Sequence, residues 1–297
     1  MGNKIAFLFP AFITDFTEKE VEFLQKNSID INQYLSRISN TLSIEFPGFF
    51  YDNKYFREEL NSQILAYAIS CAMSDALFSK GLFPNLIAGY SMGIYASLYA
   101  SGSVNFETGA ELIYKAYNLV KELTETGKYG MGAIIGLAYN DIERLTQAKS
   151  YHAEIINVNN EHSMVIAGTK KDVRELLEKS TDEGALTTAE LTVNTPYHSK
   201  FLLKYSEPFR KYLNKIQIKN AEIPIISTYN QREVVQLEEI KSELVFNLTQ
   251  KINWYNTMQK LINLGINEMF ECGAGKDLKK ISRFIKGDYK LKSIHKI

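Results

Sequence analysis

Asn85-Leu86-Ile87-Ala88-Gly89 is a short apolar run leading into Tyr90-Ser91-Met92-Gly93; the small and aromatic residues from Ser91 to Ser101 then read as a helix closed by Gly102. Strand, sharp turn and helix in that order are what a G-x-S-x-G nucleophile elbow requires. Glycines on either side of the serine let the chain turn tightly and let strand and helix come close together. The serine oxygen is then held above the sheet edge. The Met92 N–H, at the helix start, points at the space where an oxyanion would form. Five residues alone are a weak signal; their place between a strand and a helix favours a nucleophile over a structural turn.

Outward from the elbow, Lys4–Phe9 reads as a buried strand stopped by Pro10. Asn61–Lys80 is helical, with Ile64, Leu65, Ala68, Cys71, Ala72 and Ala76 on one face and Gly81 as the stop. Phe106–Leu123 is a second amphipathic helix. The middle of the chain changes character. Met131–Leu137, Ala153–Val158, Ser163–Ala167 and Leu186–Val193 read as strands, with helices at Asp141–Lys149 and Asp172–Ser180. A β-α-β-β-α-β order within about 65 residues is the signature of a ferredoxin-like unit. The last third returns to an α/β pattern: helix Ser199–Leu213, strand Ile223–Ser227, helices near Lys241–Lys251 and Trp254–Leu264, strand Glu268–Glu271 and a closing helix. The spacing predicts an α/β body at 1–127 and 198–297, interrupted by an inserted ferredoxin-like subdomain at 128–197.

The bulk numbers narrow the function. With 34 basic and 34 acidic residues among 297, no global field draws the chain to nucleic acid or membrane. No run approaches the ~18 apolar residues of a membrane span, and the N-terminus carries no secretory pattern, so a cytoplasmic location is expected. Cys71 and Cys272 have no metal or redox spacing. Locally the charge is less even. Residues 276–297 carry eight basic side chains against Asp277 and Asp288, and this basic tail is either a solvated helix face or a docking patch for an acidic partner.

A serine hydroxyl is a poor nucleophile near neutral pH and needs a base. Of the four histidines, His295 sits in the tail, His152 in a polar stretch and His162 in a turn before a strand. His198 lies in Asn194-Thr195-Pro196-Tyr197-His198-Ser199, where the chain re-enters the α/β body after the insert. Its place makes it the candidate base.

These landmarks, in this order, resemble the acyltransferase family typified by malonyl-CoA:acyl-carrier-protein transacylase, which also occurs in polyketide synthesis. Phe9-Pro10 resembles the opening F-P-G-Q-G-S, Asn61-Ser62-Gln63 the T-Q of the second helix, and Gly89–Gly93 the G-H-S-x-G. Met131-Gly132-Ala133-Ile134 resembles the start of the small subdomain. Asn157-Val158-Asn159 through Ile166-Ala167-Gly168 resembles its strand pair. Thr195–Ser199 resembles the segment bearing the catalytic histidine, and Glu271–Gly275 the late E-x-G-P-G. The resemblance implies an α/β-hydrolase-like large subdomain carrying the ferredoxin-like insert. It also implies a Ser91–His198 dyad with no acidic third member. The histidine would be steadied by the backbone carbonyl of Asn247, whose side chain need then play no part. Backbone N–H groups of Met92 and Phe12 would form the oxyanion hole. Ala116, Gln63, Tyr90 and Tyr197 would line the acyl pocket. No cofactor or metal is implied; the substrate would be the phosphopantetheine thioester of an acyl carrier protein, or coenzyme A, handled by a monomer.

Three departures from the family pattern shape the expected cargo. The G-Q-G-S loop is replaced by Ala11-Phe12-Ile13-Thr14, Tyr90 stands where histidine is usual, and Ala116 stands where malonyl-specific members carry arginine. A guanidinium there grips the free carboxylate of malonyl in two-pronged fashion. Burying that carboxylate unpaired costs about 3–5 kcal/mol, enough to reject malonyl by hundreds-fold. Lys115 is a poor substitute because adjacent residues of a helix point about 100° apart. The pattern is similar to the acyl hydrolases that accompany trans-acyltransferase polyketide synthases. The leading expectation is therefore hydrolytic editing of neutral acyl groups on carrier protein. Transfer of a non-malonyl acyl group comes next, malonyl transfer third, and an idle carrier-binding module is the reading outside enzymology.

Overall fold

The computed structural model describes residues 4–11, 18–45, 58–148 and 151–293. The chain opens with strand β1 (Ile5–Phe9), helices α1 (Glu18–Lys26), α2 (Ile31–Leu42) and α3 (Glu59–Ser79), strand β2 (Leu86–Gly89), and helices α4 (Gly93–Ala100) and α5 (Phe106–Glu125). Then follow β3 (Tyr129–Ile135), α6 (Tyr139–Ala148), β4 (Ala153–Asn160), β5 (Ser163–Thr169), α7 (Lys170–Asp182) and β6 (Thr187–Glu190). The remainder is α8 (Ser206–Leu213), β7 (Ile225–Ile226), β8 (Glu233–Val234), α9 (Leu237–Thr249), β9 (Ile252–Asn253), α10 (Trp254–Asn263), β10 (Glu268–Glu271), α11 (Asp277–Ser282) and β11 (Lys290–Ser293).

Two sheets organise these elements. The larger runs β11-β10-β1-β2-β7-β8, parallel except for the β7–β8 pair. A parallel sheet covered on both faces asks for strands apolar on both sides. Accordingly Phe7, Phe9 and Ile87 pack into one core with α3, α4 and α5. Ala6, Leu8, Leu86 and Ala88 pack into another with Trp254 and Met258 of α10. The smaller sheet runs β6-β3-β5-β4-β9. Its first four strands are antiparallel and, numbered within the unit, lie in the order 4-1-3-2 of a ferredoxin-like sheet, with a core built on Ile134, Ile142, Ile166, Val173 and Leu176. Among the described residues no helix is long and apolar enough to cross a membrane.

Helices α1 and α2 and strand β8 have no counterpart in the sequence reading, and three further elements differ from expectation. The single helix expected over Ser199–Leu213 is a 3-10 segment, Lys200–Tyr205, followed by α8. A continuous helix would set the Pro208 ring against the carbonyl of Lys204; in the first turn of α8 the missing N–H costs nothing. The closing helix is only α11, after which the tail turns through Gly287 (φ +159°) and adds β11 to the edge of the large sheet. The two-residue strand β9, too short to read from periodicity, pairs in parallel with β4 at Asn157 and Val158. It ties the small sheet to the segment that leads into α10.

Candidate active site

β1 and β2 run side by side, and the chain leaves β2 through a turn so tight that two positions admit only glycine. A Cβ on Gly89 would lie 2.5 Å from the Gly93 carbonyl carbon, and one on Gly93 would lie 2.1 Å from the Phe9 carbonyl oxygen. Between them Ser91 holds φ +53°, a left-handed conformation costing a non-glycine residue about 1–2 kcal/mol. Backbone bonds hold it there: Tyr90 N–H to the Phe9 carbonyl (2.8 Å), Gly93 N–H to that of Tyr90 (2.9 Å) and Ile94 N–H to that of Ser91 (3.1 Å). Met92 forms the N-cap of α4, and its N–H makes no backbone hydrogen bond among the described residues. It remains available to an oxyanion.

His198 is also left-handed, at φ +60°, and its N–H donates to the carbonyl of Leu248 near the end of α9 (3.0 Å). The contact brings its Nε2 to 2.6 Å from Ser91 Oγ across 107 residues of sequence. Both residues are buried. Burial lowers the His198 pKa to about 4, the Asn247 backbone opposing that shift. Nδ1 faces this backbone without completing a hydrogen bond. A neutral imidazole at 2.6 Å from a serine hydroxyl can accept its proton and return it to a leaving group.

Asn247 does more than expected. Its side-chain Nδ2 donates to the Ser91 carbonyl (2.9 Å), so α9 clamps the strained elbow as well as facing the imidazole. Its side chain therefore matters, contrary to the expectation that only backbone would.

Of the expected acyl-pocket residues, three are buried, and two of them, Ala116 and Tyr197, belong to one core. Ala116 of α5, Gln63 of α3 and Tyr197 are all buried, and Gln63 Nε2 donates to the Tyr197 hydroxyl (3.2 Å). Tyr90 stands apart. Strand alternation sends it to the opposite face from Ile87, where its ring meets Trp254 edge-on at 5.5 Å. Its hydroxyl donates to Asn159 Oδ1 and accepts from Asn157 Nδ2, both at 2.7 Å, on the bulged strand β4. Tyr90 thus joins the elbow to the small sheet instead of lining the acyl pocket. Phe12 and the rest of its loop, 12–17, lie outside the described residues.

One polar residue at the site was not anticipated. Glu59, one turn before Gln63 on α3, accepts hydrogen bonds from Tyr197 Oη (2.8 Å), Gln63 Nε2 (3.2 Å) and Thr195 Oγ1 (3.2 Å). Thr195 in turn bonds Thr124 of α5 at 2.6 Å. The i, i+4 relation of Glu59 to Gln63 was readable in sequence; the meeting with Tyr197, 138 residues away, was not.

The acyl transferase domain family matches residues 52–261. The malonyl CoA-acyl carrier protein transacylase of Staphylococcus aureus (strain MW2) is 31% identical over 240 residues, covering 80% of this chain and 77% of its own. Two solved structures share the fold. One is a malonyl-transacylase in complex with a type II polyketide synthase acyl-carrier protein (TM-score 0.90, 22% identity, 98% of this chain and 96% of that one). The other is the transacylase of Coxiella burnetii (TM-score 0.89, 22% identity, 99% and 95%).

Proposed function

Because this chain belongs to the acyl transferase domain family, we propose that it takes an acyl group from a coenzyme A or carrier-protein thioester onto Ser91 and passes it to the phosphopantetheine thiol of an acyl carrier protein. The 2.6 Å approach of Ser91 Oγ to His198 Nε2 carries this reading. Oγ attacks the thioester carbon while Nε2 accepts its proton, and the oxyanion forms against the Met92 N–H. The C–S bond breaks, the leaving thiolate takes the proton from His198, and an acyl-serine ester remains. An incoming thiol then gives its proton to Nε2, attacks the ester and restores Ser91.

The relatives are named transacylases, which supports a thiol as the second acceptor. Hydrolysis, with water in the thiol's place, is the second reading; Ala116 favours it through the likeness to acyl hydrolases. For either acceptor, the methyl of Ala116 in place of a guanidinium favours a cargo without a free carboxylate.

The basic patch is the proposed carrier-protein dock. α11 leaves the carboxyl end of β10, the same end of the parallel sheet at which β2 presents Ser91. Its N-terminus is anchored by the buried Glu271 carboxylate, which accepts from the N–H groups of Leu278 (2.8 Å) and Lys279 (3.1 Å). Lys276, Lys279, Lys280 and Arg283 border a hollow of about 530 Å³, beside an exposed Phe284. An acidic carrier would be steered to such a surface in a salt-dependent manner.

Intact-protein mass spectrometry on acetyl-, hexanoyl- and malonyl-loaded carrier protein, with a second carrier as acceptor, tests these points together. Acetyl or hexanoyl should migrate through an acyl-Ser91 species, and malonyl should lag by at least about a hundredfold. Lys279→Glu with Arg283→Glu should slow transfer to carrier protein on the order of tenfold, with a smaller loss to free pantetheine. Malonyl labelling as fast as acetyl overturns the cargo assignment, and free acid in place of migration selects hydrolysis. No acyl-enzyme from any thioester overturns the whole reading.

The His198 environment adds a pH expectation. A base must be neutral to accept the proton, and its fraction falls only as pH drops through the folded-state pKa of about 4. The kcat/KM for Ser91 acylation should therefore be flat from pH 8 to about 5.5 and decline with a midpoint near 4. A midpoint near the ordinary histidine value of about 6.5 would show that His198 is not the desolvated base described here.

A further inference from the structure

Among the described residues the hydrogen-bond partners of the Glu59 carboxylate are all neutral: the Tyr197 hydroxyl, the Thr195 hydroxyl and the Gln63 amide. No cationic side chain among the described residues forms an ion pair with it, and burial raises its pKa against the pull of those hydrogen bonds, a shift that a bound cation would reverse. Glu59 stands in the first turn of α3, where the helix dipole helps hold negative charge. Beside it Gln63 is fully buried, and its amide nitrogen is committed to Glu59 and Tyr197. The free end is Oε1, a buried acceptor without a donor among the described residues. Buried polar atoms are rarely left unpaired, and such an atom next to a substrate site points to a group the substrate supplies.

The pair is linked to the dyad through Tyr197. Tyr197, which Glu59 and Gln63 both bond, immediately precedes His198. On α5, Ala116 and Val120 are one turn apart and buried in the same core as Tyr197. Thr124, a further turn along, reaches Thr195, and the Tyr117 phenol feels the Glu59 charge. The stripe of α5 that carries Ala116 is therefore tied, through Thr124 and Thr195, to the Glu59 carboxylate.

Resting on the acyl-transfer reading above, we infer that this subsite takes an acyl group bearing a protonated amine, its N–H groups donating to the Glu59 carboxylate and to Gln63 Oε1. The ammonium balances a charge that the described residues leave unbalanced and occupies the orphaned acceptor. A simple alkyl chain would do neither, and a carboxylated chain would be repelled. Glu59 is a specificity-determining residue in this scheme and takes no part in bond making.

The test is single-turnover acylation of the whole enzyme by pantetheine thioesters in isosteric pairs: β-alanyl against butyryl, γ-aminobutyryl against valeryl, δ-aminovaleryl against hexanoyl. At least one aminoacyl member should acylate Ser91 ten or more times faster than its alkyl partner. In Glu59→Gln that ratio should collapse toward one. A wild type in which every alkyl partner reacts as fast as its amine overturns the inference without any variant and leaves acyl transfer standing. A ratio that survives in Glu59→Gln overturns it equally. Failure of all six thioesters to acylate Ser91 removes the inference together with the acyl-transfer reading.

Discussion

Ser91→Ala will yield an enzyme that forms no acyl adduct and transfers acyl groups more slowly by on the order of 10⁴-fold or more. On the proposed mechanism Ser91 supplies the bond that splits transfer into two half-reactions, and no other hydroxyl in the described structure lies 2.6 Å from a buried neutral imidazole. His198→Ala should be about as damaging, since a serine without its base is a weak nucleophile. The two losses should not add: each variant already lacks the acting unit, so the double variant should be no slower than either single one. Adduct mass and single-turnover rate are the measurements. A His198→Ala enzyme that still acylates Ser91 at a near wild-type rate would sink the dyad.

Gly93→Ala will cost the fold more than any surface substitution. The new methyl would sit 2.1 Å from the Phe9 carbonyl oxygen and 2.7 Å from its carbon. Both are backbone atoms of a central strand that pairs with β2 and β10. Neither can swing aside as a long side chain would, so α4 must back away from β1. That movement unseats the Tyr90–Phe9 hydrogen bond and the turn that keeps Ser91 left-handed. A loss of about 3 kcal/mol or more is expected, read as a Tm lower by several degrees or more with acylation reduced in whatever protein remains folded. An unchanged Tm and unchanged acylation would mean that the elbow does not depend on this close approach.

Much of the site was readable because its signals are local. A glycine pair around a serine, an apolar run before it and a helical pattern after it describe one turn of chain, and the physics of that turn involves few residues beyond those nine. The β-α-β-β-α-β run was legible for the same reason, since strand and helix periods repeat over lengths greater than a boundary error. His198 was found by its place after the insert, a topological clue that assigned the residue without its geometry. The strands β8 and β9 escaped because two residues establish no period, and β9 pairs only with β4 among the described strands.

What the sequence by itself determined is the elbow, the α/β body with its inserted unit, and the identity of the two residues, Ser91 and His198, that meet at 2.6 Å. What the tertiary structure decided is which side chains meet there. It set the Asn247 amide on the Ser91 carbonyl, turned Tyr90 away toward Trp254 and β4, and brought Glu59 to Tyr197. The physical reason is the range of the forces involved. Backbone preferences act between neighbours in the chain and are written in short motifs. Hydrogen bonds between helices depend on which faces the buried core presses together, and that outcome belongs to the whole molecule.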